Sequence, residues 1–262
     1  MSKPFFKMNI GNDPLMITAI HDGHFVPDEL MPYMALNEQI RLYEEDPYTG
    51  FLTDISDSNA IGMYSRFVID LNRKKQEAIY MHPDQAWGLH VWKEIPPSEI
   101  LQKSYGFYND FYKQMETIIH KKILNYGYAI IYDIHSYNYK RGGKEANKLE
   151  NPDINVGTTG MDRVFWDPVI SSFIDEMNGS ELYGKRLDVR ENIKFKGGHF
   201  PTWINKNFNN KACAIAIEVK KIFMDEITGE VDTTALSEIK KALNSTMVPV
   251  LNASSQLFDL HT

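Results

Sequence analysis

The stretch "YGYAIIYDIHSYN", Tyr126 to Asn138, runs apolar through its centre and then carries an aspartate and a histidine two residues apart. An apolar run of this length, bounded by Gly127 and by polar residues, reads as a buried strand. Side chains alternate faces along a strand, so Ile131, Asp133 and His135 share one face while Ile130, Tyr132 and Ile134 share the other. In an open α/β sheet the ligand crevice lies beyond the C-terminal ends of the strands. A polar pair at such an end therefore raises a question of chemistry as well as of packing.

Outward from this stretch the pattern repeats. "LMITAI" (15–20), "YSRFVIDL" (64–71) and "CAIAIEV" (213–219) are further apolar runs expected as strands. Residues 98–125 carry Phe107, Phe111, Met115, Ile118 and Ile119 at helical spacing and end at Tyr126–Gly127, which predicts a long amphipathic helix. "DPVISSFIDEMNG" predicts another, with Pro168 at its start and Gly179 at its end. The Gly-, Asn- and Lys-rich segments 138–163 and 194–211 read as surface loops. Strands alternating with helices imply an α/β sheet covered by helices. With 262 residues and no internal repeat or linker, a single domain spanning 1–262 is expected.

Composition narrows the function classes. With 43% hydrophobic and 24% charged residues the chain is an ordinary globular one. A formal charge of −7 without any long basic run argues against a nucleic-acid partner. No stretch approaches the ~20 apolar residues of a membrane span, and "MSKPFFKMNI" lacks the features of an export signal. The single cysteine, Cys213, lies within an apolar run and reads as core, so no disulfide framework is available. The expectation is a cytoplasmic protein with a small-molecule ligand.

Three of the expected strands finish in polar residues suited to chemistry: His21 after "LMITAI", His135, and Glu218 near the end of "CAIAIEV". Two imidazoles and a carboxylate with one open position form the ligand set of a catalytic zinc. Taken alone, each also fits a hydrogen-bonded strand-end residue, and the spacing leaves both readings open.

Longer blocks add to this. The chain carries "HDGHFVP" (21–27), "SRFVIDLNR" (65–73), "DIHS" (133–136), "PDINVGT" (152–158), "NIKFKGGHF" (192–200) and "IEVKKIFMDE" (217–226). In order and approximate spacing these resemble the N-formylglutamate amidohydrolase family, most specifically through "SRFVIDLNR" and "FKGG". The resemblance implies a zinc-carboxypeptidase-like fold, a three-layer α/β/α sandwich around a mixed β-sheet, with Zn2+ at the strand ends. It implies hydrolysis of an N-acyl amino acid, with N-formyl-L-glutamate yielding formate and glutamate. By position it makes His21 and His135 metal ligands and takes the third ligand from "YEEDPYTGFL", at Asp46 with Glu45 as rival, ahead of Asp54 and Asp57.

On the same resemblance Glu218 becomes the general base, accepting a proton from water and passing it to the leaving amine. Asp133 would orient a ligand histidine, or cap a loop. Arg66 and Arg73 would receive substrate carboxylates through their forked donors. Asn192 and the Gly197–Gly198 pair would form a loop against the substrate, although a tight turn alone accounts for the glycines. A carboxypeptidase-like or other N-acyl amidohydrolase, and a non-enzymatic regulator on the same fold, are the competing readings.

Overall fold

The computed structural model describes residues 4–141 and 147–259. In chain order the elements are β1 (Phe6–Asn9), β2 (Leu15–Ala19), α1 (Glu38–Glu44), α2 (Thr49–Leu52), β3 (Asn59–Gly62), α3 (Ser98–Tyr126), β4 (Ala129–Tyr137), β5 (Ile154–Gly157) and α4 (Asp167–Gly179). There follow β6 (Glu181–Leu182), β7 (Lys185–Arg186), β8 (Val189–Glu191), α5 (His199–Asn207), β9 (Ala212–Lys220) and α6 (Thr233–Asp259). Seven strands form one sheet in the order β1-β3-β2-β4-β9-β5-β8. It is mixed: β2, β3, β4 and β9 run parallel, whereas β1 and β5 pair antiparallel with β3 and β9.

The period-2 alternation of the central strands sorts the core into two layers. Ile131, Met16 and Ala214 pack with Phe111, Met115 and Ile119 of α3 and with Phe200 and Ile204 of α5. On the opposite face Ile130, Tyr132, Ile134, Ile215 and Ile217 pack with Ile170 and Phe173 of α4 and with Ile239 and Leu243 of α6. Each Ile, Leu, Phe or Met among them contributes about 1.5–3 kcal/mol on burial. The result is a three-layer α/β/α sandwich. Helix α3 stops where Gly127 adopts φ 84° and returns its N–H to the Ile123 carbonyl at 2.8 Å, which turns the chain directly into β4. Among the described residues no helix is long and apolar enough to cross a membrane.

Three expectations need correction. The strand beside β2 is Asn59–Gly62, and residues 64–71 form turns. Val68 N–H bonds back to the Ser65 carbonyl at 2.9 Å and Asp70 N–H reaches the Ala78 carbonyl at 2.7 Å. Phe67, Val68, Ile69 and Leu71 are all buried, so residues of both nominal strand faces enter one core. The segment 138–163, read as loop, contains β5, and 194–211 contains α5.

Candidate active site

His21 follows β2 by two residues, His135 lies near the end of β4, and Asp46 occupies the turn after α1. Asp46 Oδ2 lies 3.4 Å from His21 Nδ1 and 2.9 Å from His135 Nδ1, and all three side chains are buried. One ligand atom from each residue falls within 4.8 Å of the others.

The outer nitrogens are tied down. His21 Nε2 meets Asp70 Oδ1 at 2.8 Å, and His135 Nε2 meets Asp133 Oδ2 at 2.9 Å. A carboxylate only accepts, so each Nε2 carries the proton and each Nδ1 turns a lone pair inward toward Asp46. Among the described residues, His21 Nδ1 is buried without a hydrogen-bond partner. Two lone pairs facing a carboxylate require a proton or a cation between them. Without a cation, His135 carries that proton. Burial works against its charged form, but Asp133 and Asp46 hold its pKa well above the usual histidine value. Burial likewise opposes ionisation of Asp46, yet the hydrogen bond to His135 and the nearness of both imidazoles hold it well below the carboxylate range. An N, N, O donor set with an orphaned buried nitrogen fits a small divalent cation.

The neighbouring carboxylate faces elsewhere. Glu45 accepts from Ser65 Oγ and pairs with His24 Nδ1, whereas Asp46 N–H bonds the His21 carbonyl at 3.1 Å and directs its side chain to the histidines. Asp54 and Asp57 are exposed, the former paired with Lys240 at 3.4 Å.

Glu218 stands in register with His135 on the adjacent parallel strand and shares its face of the sheet. Burial raises its carboxyl to about 7, against the opposing effect of His135. A cavity of about 730 Å³ opens over the cluster and is lined also by Arg66, Arg73, Gly197 and Gly198. Arg66 Nη2 donates to Asp70 Oδ2 at 2.7 Å, and its guanidinium lies 4.9 Å from the centre of the Trp87 ring. Arg73 is exposed at the mouth. Gly197 has φ +111°, and a Cβ on Gly198 would sit 2.2 Å from Asn72 Oδ1. The space goes to Asn72, whose Oδ1 accepts the Phe200 N–H at 3.0 Å at the start of α5. Asn192 does not line this cavity. Its Oδ1 accepts from Thr158 N–H at 3.1 Å and its Nδ2 donates to Thr158 Oγ1 at 2.8 Å, which ties β8 to the end of β5.

Residues 13–224 match the sequence profile described as N-formylglutamate amidohydrolase. The chain belongs to the N-formylglutamate amidohydrolase family. It is 27% identical over 205 residues to an N-formylglutamate deformylase of Pseudomonas putida, covering 72% of this chain and 73% of that one. Its fold is similar to an N-formylglutamate amidohydrolase from Ralstonia eutropha JMP134, with a TM-score of 0.71 at 16% identity over 95% of this chain and 97% of the other. A gene product from Agrobacterium tumefaciens superposes with a TM-score of 0.66, again at 16% identity, over 92% of each chain.

Around this candidate site lie side chains that sequence reasoning did not single out. Asp70 falls inside the stretch expected as a strand, and a charge within the apolar run "FVIDL" is the signal that marks it. Tyr80 donates to Asp70 and, through its oxygen, receives Arg66 Nε at 3.3 Å. Trp87 adopts φ 54°, uncommon for a bulky residue, with the Arg141 guanidinium 5.8 Å from its ring. Arg141 in turn grips both oxygens of Glu44, at 2.7 and 2.5 Å. No local pattern announces Trp87 or Arg141, since both act across long sequence separations.

Proposed function

We propose that this protein is a zinc-dependent amidohydrolase that cleaves the amide bond of an N-acyl amino acid, with N-formyl-L-glutamate, giving formate and L-glutamate, as its best-supported substrate. The observation that carries this reading is the convergence of His21 Nδ1, Asp46 Oδ2 and His135 Nδ1 within 4.8 Å, beneath a cavity that also holds Glu218. Family membership supports the formyl group and the glutamate.

His21, Asp46 and His135 would hold the zinc, which when bound would supply Lewis acidity toward the amide carbonyl and water. Asp70 and Asp133 fix the tautomer and orientation of the two imidazoles. Glu218 accepts the proton of the attacking water as its oxygen bonds the formyl carbon, then returns that proton to the departing nitrogen as the C–N bond breaks. A carboxyl poised near neutrality by burial suits both steps. Arg66, already charge-balanced by Asp70, and Arg73 at the mouth offer donors to the substrate's carboxylates. Gly198 leaves the space of its Cβ to Asn72, and Gly197 supplies the left-handed backbone of the loop that lines the cavity.

The size of the cavity favours one second reading. About 730 Å³ lies in the upper half of the ~300–1,000 Å³ range of small-molecule sites, which leaves room for an acyl group larger than formyl. A panel of N-formyl-L-glutamate, N-acetyl-L-glutamate and N-formyl-L-leucine separates these. The proposal expects the highest kcat/KM for the first. Equal turnover of N-formyl-L-leucine removes the glutamate assignment, and preference for the acetyl compound favours the second reading.

A further inference from the structure

The carboxylate between the two histidines lies on neither strand. Asp46 belongs to the turn at the C-terminal end of α1, and a turn needs support if its side chain is to keep a fixed position. Two buried side chains supply it. Lys221, just past β9, is 1% exposed, and its Nζ donates to the Tyr43 carbonyl at 2.7 Å and the Glu45 carbonyl at 2.8 Å. Asn138, just past β4, donates through Nδ2 to the same Tyr43 carbonyl at 2.7 Å. The backbone N–H of Lys221 also bonds the Tyr137 carbonyl at 3.0 Å, so the two strand ends are joined to each other as well as to the turn.

These ties start close to the chemistry. Asn138 follows His135 by three residues just past one strand, and Lys221 follows Glu218 by three just past the next. The carbonyls they reach are those a helix leaves without partners at its C-terminus, where the helix dipole also favours a cation. A methionine would fill the volume of Lys221 without the desolvation of a buried ammonium, but it would leave both carbonyls without this donor. On the far side of the turn, Glu45 is gripped by Ser65 and His24. Asp46 is therefore held from both sides.

We propose that Lys221 is a positioning residue: together with Asn138 it fixes the Tyr43–Asp46 turn against the ends of β4 and β9, and so sets Asp46 at the separation from His21 and His135 that a divalent cation requires. This rests on the metal reading of the cluster. The role is distinct from substrate binding, because it acts before any substrate arrives.

The test measures Zn2+ affinity of the metal-free full chain by competition with a chromophoric chelator, alongside thermal melting. Lys221→Met and Asn138→Ala are compared with Ile170→Val, a change in the core between the sheet and α4, away from the turn. Lys221→Met and Asn138→Ala should weaken zinc binding ten- to a hundredfold, while Ile170→Val lowers the melting temperature and leaves affinity within threefold. The proposal is overturned if Lys221→Met binds zinc within threefold of the parent, or if affinity in all three variants simply follows their melting temperatures. A raised KM with unchanged zinc affinity also overturns it and makes Lys221 a substrate contact. Should Lys221→Met not fold, Asn138→Ala decides by the same thresholds. A parent protein that binds no zinc refutes the metal reading, and this proposal with it; a parent that binds zinc beside variants that bind equally refutes only the role of Lys221.

Discussion

One carboxylate, Asp70, organises much of the site. Its Oδ1 meets His21 Nε2 at 2.8 Å and accepts the Asn72 N–H at 2.7 Å, while Oδ2 receives Arg66 Nη2 at 2.7 Å and the Tyr80 hydroxyl. Burial opposes its charge, but Arg66 and His21 hold its pKa well below the usual carboxylate value. Asp70→Asn puts an amide where four donors converge, so zinc affinity should fall about 10–100-fold in chelator competition. Glu218→Gln should act differently, retaining zinc while losing about 10²–10⁴ in kcat. Because Glu218 must be unprotonated to accept a proton, and burial places its carboxyl at about 7, kcat/KM should fall as pH drops below that value. A bound cation stabilises the carboxylate and moves this acid limb lower, never higher. A limb that persists unchanged in Glu218→Gln would assign it to another group. At this scale the strand-end residues were legible, since His21, His135 and Glu218 interrupt apolar runs. Choosing Asp46 over Glu45 was not legible from the local sequence, because the choice depends on partners, Ser65 and His24, some 20 residues away.

Among the elements, β3 approaches the end of β2 closely beside His21. A Cβ on Gly62 would lie 2.4 Å from the Ile20 carbonyl oxygen, a backbone atom that cannot move without displacing the next residue, His21. Gly62→Ala should therefore cost about 1–3 kcal/mol in chemical denaturation, as overpacking does, and weaken zinc binding too. Unchanged stability would show that β2 and β3 can separate freely. Helices α3 and α4 and the strands β2, β4 and β9 could be read from periodicity, because one apolar stripe or one apolar run sufficed to specify them, whereas the long helix α6 was not among the expected elements. The failures have physical causes. "YSRFVIDL" has strand-like composition, but its backbone pairs with Ala78 and with itself, and its polar residues are satisfied by side-chain contacts instead of solvent. In β5, Asn155 breaks the apolar pattern because its amide clamps the backbone of Lys194 and Phe195, at 2.8 Å to the first and 2.7 Å to the carbonyl of the second. Helix α5 begins immediately after a glycine pair that signals a loop.

For the molecule as a whole, the site joins pieces from across the chain: β2, the turn after α1, the 65–73 turn, and β4 and β9. A cation that binds only the assembled cluster must stabilise the entire fold, by about 2.7 kcal/mol at a free concentration 100 times its Kd. Zinc should accordingly raise the melting temperature of the metal-free protein in a concentration-dependent way. His135→Ala should abolish that response, and a response of equal size in this variant would move the metal elsewhere. The central claim, that hydrolysis depends on the metal at this cluster, is tested most directly by formate release from N-formyl-L-glutamate with the zinc-loaded, chelated and reloaded protein. The expected result is one formate per glutamate from the loaded protein, loss of release on chelation, and recovery when zinc is restored. Release at the loaded rate from protein shown to contain no metal would contradict it.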